Sequence, residues 1–175
     1  MQDAGVVRRC RRRHKPRSTR LNGFVSTIAG KGFRYGACRA GGLTLTYKSL
    51  DSIDYSAGGQ LYGVMEGSLT GERLRGDLHL TNLAARRPDN VNLPTLRGVL
   101  TTLDEAEVWV ELDGIAMLRE SDKARVFVTG CRFRTGDERY SWLNGVFAIL
   151  EGVLDNVAVG GQARGRLFEC RATVS

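Results

Sequence analysis

Apolar and polar residues alternate one by one through short stretches of this chain, and turn residues separate the stretches. In residues 43–47 (LTLTY) the repeat is two, the period of a strand. Residues 73–81 carry it again: Leu74, Leu78 and Leu80 fall on one face, Arg73, Arg75, Asp77 and His79 on the other. In residues 106–112, Val108, Val110 and Leu112 oppose Glu107, Trp109 and Glu111. Further strand-like runs occupy residues 61–69, 96–103, 125–134, 141–150 and 162–173. Asp113-Gly114 predicts a hairpin turn, with residues 115–118 pairing back. Residues 86–94, with RPDN, read as loop. No long segment carries a helical stripe. The fold class is therefore all-β: an antiparallel β-barrel of about 8–10 strands, closed because closure removes exposed edges. A barrel of roughly eight strands either fills its interior with side chains or holds one small ligand there. The 22 glycines and 3 prolines suit that many turns. No apolar run reaches the roughly 18 residues that span a bilayer as a helix, so no membrane partner is expected.

The charge is uneven. The net charge is +7, yet residues 1–42 hold 11 Lys or Arg and one acid, whereas residues 43–175 hold 15 Lys or Arg and 18 acids. The basic character belongs to the N-terminal piece, and the body is mildly acidic. The block RRCRRRHKPRSTR at residues 8–20 repels itself, which predicts a disordered basic extension over residues 1–42 and a barrel domain over residues 43–175. Nucleic acid has a place as partner only at that extension. A nuclear or organelle address and a solvated tail are its competing readings. Val6-Val7 is too short for the apolar segment of a signal peptide, so the expected location is cytoplasmic, where thiols stay reduced.

Cofactor chemistry has little to stand on. The cysteines Cys10, Cys38, Cys131 and Cys170 form no Cys-x-x-Cys pair, and the only histidines are His14 and His79, so no metal is expected. Cys131 and Cys170 lie in strand-like runs and read as buried free thiols, with a disulfide between them left open. Residues 30–36 (GKGFRYG) imitate a dinucleotide loop. The third glycine comes one residue late, no helical period follows, and Gly32 stands where a phosphate loop needs Ser or Thr after Lys31. No nucleotide cofactor is expected.

Residues 133–152 (FRTGDERYSWLNGVFAILEG) place Phe133, Thr135 and Gly136 in a Phe-x-Thr-Gly pattern. Tyr140, Trp142, Leu143 and Asn144 follow as Tyr-x-Trp-Leu-Asn, and an apolar run then ends at Gly152. Upstream, Gly67, Gly71, Leu74 and Gly76 form Gly-x-x-x-Gly-x-x-Leu-x-Gly, and residues 87–90 stand as Arg-Pro-Asp-Asn. Over about residues 43–170 this resembles a bacterial and fungal domain-of-unknown-function family of small antiparallel β-barrels. The resemblance implies the fold; the family has no general assigned activity. The chain departs from the pattern in two places. His79, Thr81 and Asn82 stand in the region of a Pro-Gly-Gly loop ending in Asp-Trp, and Asp104-Glu105 replaces an Asp-Gly before Ala106. If the loop borders a ligand mouth, this chain takes a different ligand from its relatives.

Three constellations could carry chemistry, each with a plainer alternative. Arg75, Asp77 and His79 share one face of a strand: His79 would act as acid or base, Asp77 would orient it, and Arg75 would hold an acidic or enolic ligand. The alternative is a solvated outer face. Glu107, Trp109 and Glu111 share another face, where Trp109 would stack a planar ligand beside a carboxylate. The alternative is a charged outer wall. Arg132 and Arg134, with Tyr140, Trp142 and Asn144 in one line if extended, would form a ligand wall, Arg132 sharing the charge-stabilising role. The alternative is a corner that locks the barrel, with Trp142 in the core and Asn144 bonding backbone.

These readings converge on a barrel that binds a small, mostly apolar molecule with one or two polar groups. It would turn that molecule over by proton transfer, as an isomerase, cyclase or lyase, by excluding water and placing one acid or base. A non-catalytic carrier or sensor, whose cavity would lack titratable groups, is the first alternative. Nucleic-acid or anionic-surface binding through the tail is the second. A homodimer could form by edge pairing.

Overall fold

The computed structural model describes residues 35–172, with side chains from Arg39 to Arg171. The basic block at residues 8–20, with Cys10 and His14, lies outside the described residues, as does most of the glycine segment at 30–36. The tail-based readings fall there too.

Ten strands form one antiparallel sheet. They are β1 (Tyr35–Tyr55), β2 (Gly58–Gly71), β3 (Gly76–Asn82), β4 (Ala85–Arg86), β5 (Asn92–Leu93), β6 (Thr95–Thr102), β7 (Glu107–Leu118), β8 (Arg125–Arg134), β9 (Phe147–Leu154) and β10 (Gln162–Ala172). Eight of them close a ring in the order β1-β2-β3-β6-β7-β8-β9-β10, and β10 pairs back onto β1. The expected closed barrel is the one found. The two-residue β4 and β5 bridge β2 to β7 at one end. β1 begins at Tyr35, ahead of residue 43, and residues 35–42 pair with β10. Edge pairing, the expected route to a homodimer, needs an open strand edge; the ring closes most of them, but residues 49–55 of β1 pair with β2 alone.

The period-two pattern sets the wall. Leu80, Leu100 and Val108 are fully buried, as is nearly every apolar residue in phase with them. Burying each such side chain stabilises by roughly 1.5–3 kcal/mol, so slipping a strand by one residue would turn its apolar set to water. The ring is tight where glycine stands. A Cβ on Gly67 would lie 1.9 Å from the Thr44 carbonyl oxygen, and no side chain fits there.

Two local expectations are corrected. No hairpin forms at Asp113-Gly114, because β7 runs through both residues to Leu118. A Cβ on Gly114 would meet the Val128 carbonyl oxygen at 2.1 Å, so this glycine admits the close approach of β8 rather than a turn. Residues 141–150 are not one strand: Glu138–Gly145 form a 3₁₀ helix, and β9 starts at Phe147. Cys131 and Cys170 are free thiols, the first buried and the second half-buried. Burial pushes the Cys131 thiol up. Among the described residues no helix is long and apolar enough to cross a membrane.

Candidate functional site

The charged constellations read from the sequence lie on the outside. Asp77 and His79 are exposed on β3, whose alternate residues point inward, and Arg75 is exposed just ahead of it. The His79 ring is 67% exposed, with Nδ1 3.3 Å from Glu66 across the strand pair. Arg75 Nε donates to the Gly71 carbonyl oxygen at 3.2 Å. The enclosed acid–base role expected of the three therefore lacks an enclosure, for the phase of β3 that faces the interior is Gly76, Leu78, Leu80 and Asn82. Glu107 and Trp109 are likewise exposed on β7. Trp109 donates to Glu111 at 3.2 Å, and Arg132 and Arg134 reach Glu111 at 3.3 and 3.5 Å. The structure thus brings two of the expected groups together, as an ion-pair network on the outer wall. The two arginines of this network are exposed, whereas the Glu111 side chain they share is mostly covered.

Tyr140, Trp142 and Asn144 sit in the 3₁₀ helix and share no single face. They build a corner. Asn144 accepts from the Thr135 N–H at 2.8 Å and donates to the Thr135 carbonyl at 3.0 Å. The Thr135 hydroxyl donates to the Glu107 carbonyl at 2.7 Å. The Tyr140 hydroxyl donates to Asp104 at 2.8 Å, and Arg139 bridges Asp104 and Asp137. Hydrogen bonds from Thr102 and Tyr140 hold the Asp104 carboxyl below the usual range, and Arg139 does the same for Asp137. Leu143 is buried in the core, while Trp142 packs against its edge with the Arg73 guanidinium 3.8 Å from its ring centre. The corner alternative describes these residues, with Trp142 half-buried rather than central. Glu105 adopts φ 64° in the same end of the barrel.

The interior opens at the other end, where β8 begins. A cavity of about 60 Å³ lies among Leu45, Leu61, Met65, Leu112, Phe127 and Leu150. One water needs about 10–15 Å³ by this measure, so the enclosed space takes several waters or a small organic group, and a ligand the size of a benzene ring would reach out through the open end. Five polar side chains interrupt the apolar wall: Tyr47, Asn82, Asn92, Arg125 and Thr129. All five are buried. The Asn82 amide nitrogen donates to the Tyr47 hydroxyl at 2.6 Å, and its oxygen accepts from the Thr95 N–H at 3.3 Å. Burial pushes the Tyr47 phenol up, against the opposing pull of the Asn82 bond. Arg125 donates to the Asn90 carbonyl and side-chain oxygens at 2.8 and 2.9 Å. Asn90 presents both oxygens from a left-handed backbone, φ 63°, a conformation asparagine tolerates better than most residues. Asn92 Oδ1 is buried with no hydrogen-bond partner. Among the described residues no three His, Cys, Asp or Glu side chains gather where they could hold a metal ion.

Comparison with known proteins supplies a fold. No family model and no curated protein matches the chain. Solved structures do. A conserved protein of unknown function from Rhodopseudomonas palustris superposes with a TM-score of 0.67 at 18% identity, covering 79% of this chain and 99% of its own. A β-barrel-like protein from Acinetobacter baumannii gives 0.68 at 15% identity, over 79% and 97%. A protein from Penicillium herquei described as an enzyme gives 0.56 at 19% identity, over 80% and 99%. The likeness is one of barrel fold, shared with proteins of unknown function.

The cavity residues were not among the expected ones, yet most leave a trace in the pattern. Asn82 is in phase with Leu78 and Leu80, Tyr47 with Leu43 and Leu45, and Arg125 and Thr129 with Phe127. A polar residue in phase with an apolar face is the signal for a lined interior. Asn92 has no such trace, since β5 is two residues long.

Proposed function

We propose that the barrel binds a small, mostly apolar molecule in its interior, with the polar end formed by Tyr47, Asn82, Asn92, Arg125 and Thr129 as the recognition surface. The observation that carries this reading is the unpartnered Asn92 oxygen on the wall of an otherwise apolar cavity. A buried acceptor without a partner costs about 1–3 kcal/mol, and a ligand that donates to it recovers that cost. Concave, apolar sites with a few convergent polar groups are the usual form of small-molecule sites.

Proton transfer within the cavity is a second reading, favoured by Tyr47. Its oxygen accepts from Asn82, which leaves the phenol proton free to meet a ligand oxygen. Burial keeps the phenol neutral, so it would serve as hydrogen donor rather than base. A plain carrier was expected to have no titratable group in its cavity, and Tyr47 and Arg125 are two.

The test is thermal unfolding of the full chain with benzyl alcohol, an apolar ring with one hydroxyl. A ligand at a hundred times its Kd stabilises by about 2.7 kcal/mol, which for a chain of this size raises Tm by several degrees. A Tm that stays constant up to millimolar benzyl alcohol contradicts the reading.

A further inference from the structure

We infer that the cavity's ligand is a small organic carboxylate, held by Arg125; this rests on the interior binding proposed above. Arg125 is the one charged side chain buried among the described residues, at 8% exposure. Its recorded partners are two neutral oxygens of Asn90, and no carboxylate of the described residues pairs with it. Other arginines of the barrel do have acids: Arg97 grips Asp113 with two bonds of 2.9 and 2.7 Å, and Arg132, Arg139 and Arg166 each hold a carboxylate. Carboxylates are plentiful on the outer wall, and none accompanies the arginine inside.

A buried guanidinium without a counter-charge is unfavourable. Burial and the nearby Arg86 both press its pKa down. The fold nevertheless keeps it in place. The left-handed turn at Asn90 spends two acceptors on holding the guanidinium against the cavity wall, and two of five N–H donors are used. The remaining donors form a planar fork suited to both oxygens of a carboxylate. The rest of the lining fits the rest of such a molecule. Leucines, Met65 and Phe127 take an apolar body, and the Asn92 oxygen and Tyr47 proton take a hydroxyl or carbonyl beside the acid. A purely apolar ligand would leave the guanidinium without a counter-charge.

The experiment compares benzoate with benzyl alcohol by calorimetric titration of the full chain at neutral pH, on wild type and Arg125→Met. Hydrogen bonds to a charged group contribute about 1.5–3 kcal/mol, so wild type is expected to bind benzoate roughly 10–100-fold more tightly than benzyl alcohol. In Arg125→Met that preference is expected to vanish while benzyl alcohol still binds. An arginine with a structural role alone would instead weaken both ligands together. Equal affinity of wild type for the two ligands overturns the carboxylate and leaves the cavity reading standing. Failure of both to bind wild type overturns both. Retention of the preference by folded Arg125→Met overturns the role of Arg125. Should that variant not fold, the wild-type comparison decides the matter alone, and the preference must disappear as the pH falls through the carboxyl range of benzoate.

Discussion

Leu143→Ala is expected to cost about 2–5 kcal/mol of unfolding free energy and to leave affinity for an interior ligand within about twofold. Leu143 is 1% exposed and belongs to the core, although it comes from the short 3₁₀ helix between β8 and β9. Truncating it leaves a void beneath a corner that is held elsewhere by the paired Asn144–Thr135 hydrogen bonds, so the site collapses little and the cost sits toward the upper range. The cavity lies at the other end of β8, and none of Tyr140, Trp142 and Leu143 lines it. Denaturant unfolding gives the stability, and titration gives the affinity. A variant with normal stability and abolished binding would mean that Tyr140, Trp142 and Asn144 form a ligand wall, as one sequence reading holds, rather than a lock.

Ala116→Leu is expected to abolish interior binding. Ala116 is buried on β7, pairs with Asn92 of β5 and Phe127 of β8, and lines the cavity. The longer side chain takes the space a ligand would use. Two effects on stability oppose each other. Overpacking costs about 1–3 kcal/mol, while each methylene placed in the void contributes about 0.8 kcal/mol. The net change in unfolding free energy is expected to stay under about 2 kcal/mol, with benzyl alcohol and benzoate binding both lost. Ile115→Leu, one residue away on the outer face, is the control and is expected to bind as wild type does. Full affinity in Ala116→Leu would place the ligand elsewhere.

The barrel is legible in the sequence because its period is two. Leu74, Leu78 and Leu80 against Arg75, Asp77 and His79 is enough to say which residues share a face. That separation also misleads about function. Charged side chains catch the eye as chemistry, but an amphipathic strand turns them to water, and His79, Glu107 and Arg134 follow that rule. The interior site is written in the opposite phase, where Asn82 and Arg125 stand among leucine and phenylalanine. Other features have no local signature. Asn92 is buried only because β4 and β5 bridge strands distant in sequence, and Gly114 looks like a turn residue because the approach of β8 cannot be seen along β7. The Tyr-Ser-Trp-Leu-Asn segment has strand-like composition, yet Asp137 caps a 3₁₀ turn there, with its side chain accepting from the Arg139 N–H at 3.0 Å.

Methyl-resolved NMR of the full chain, titrated with benzyl alcohol and then benzoate, tests the central claim that the interior of the barrel is the binding site. Shifts are expected at the methyls of Leu45, Leu61, Leu112, Ala116 and Ala163, which line the cavity. The exposed methyls of Ile115, Val128 and Ile149 on the outer wall are expected to stay still. Shifts confined to those outer methyls, or no shift anywhere at millimolar ligand, would contradict the account.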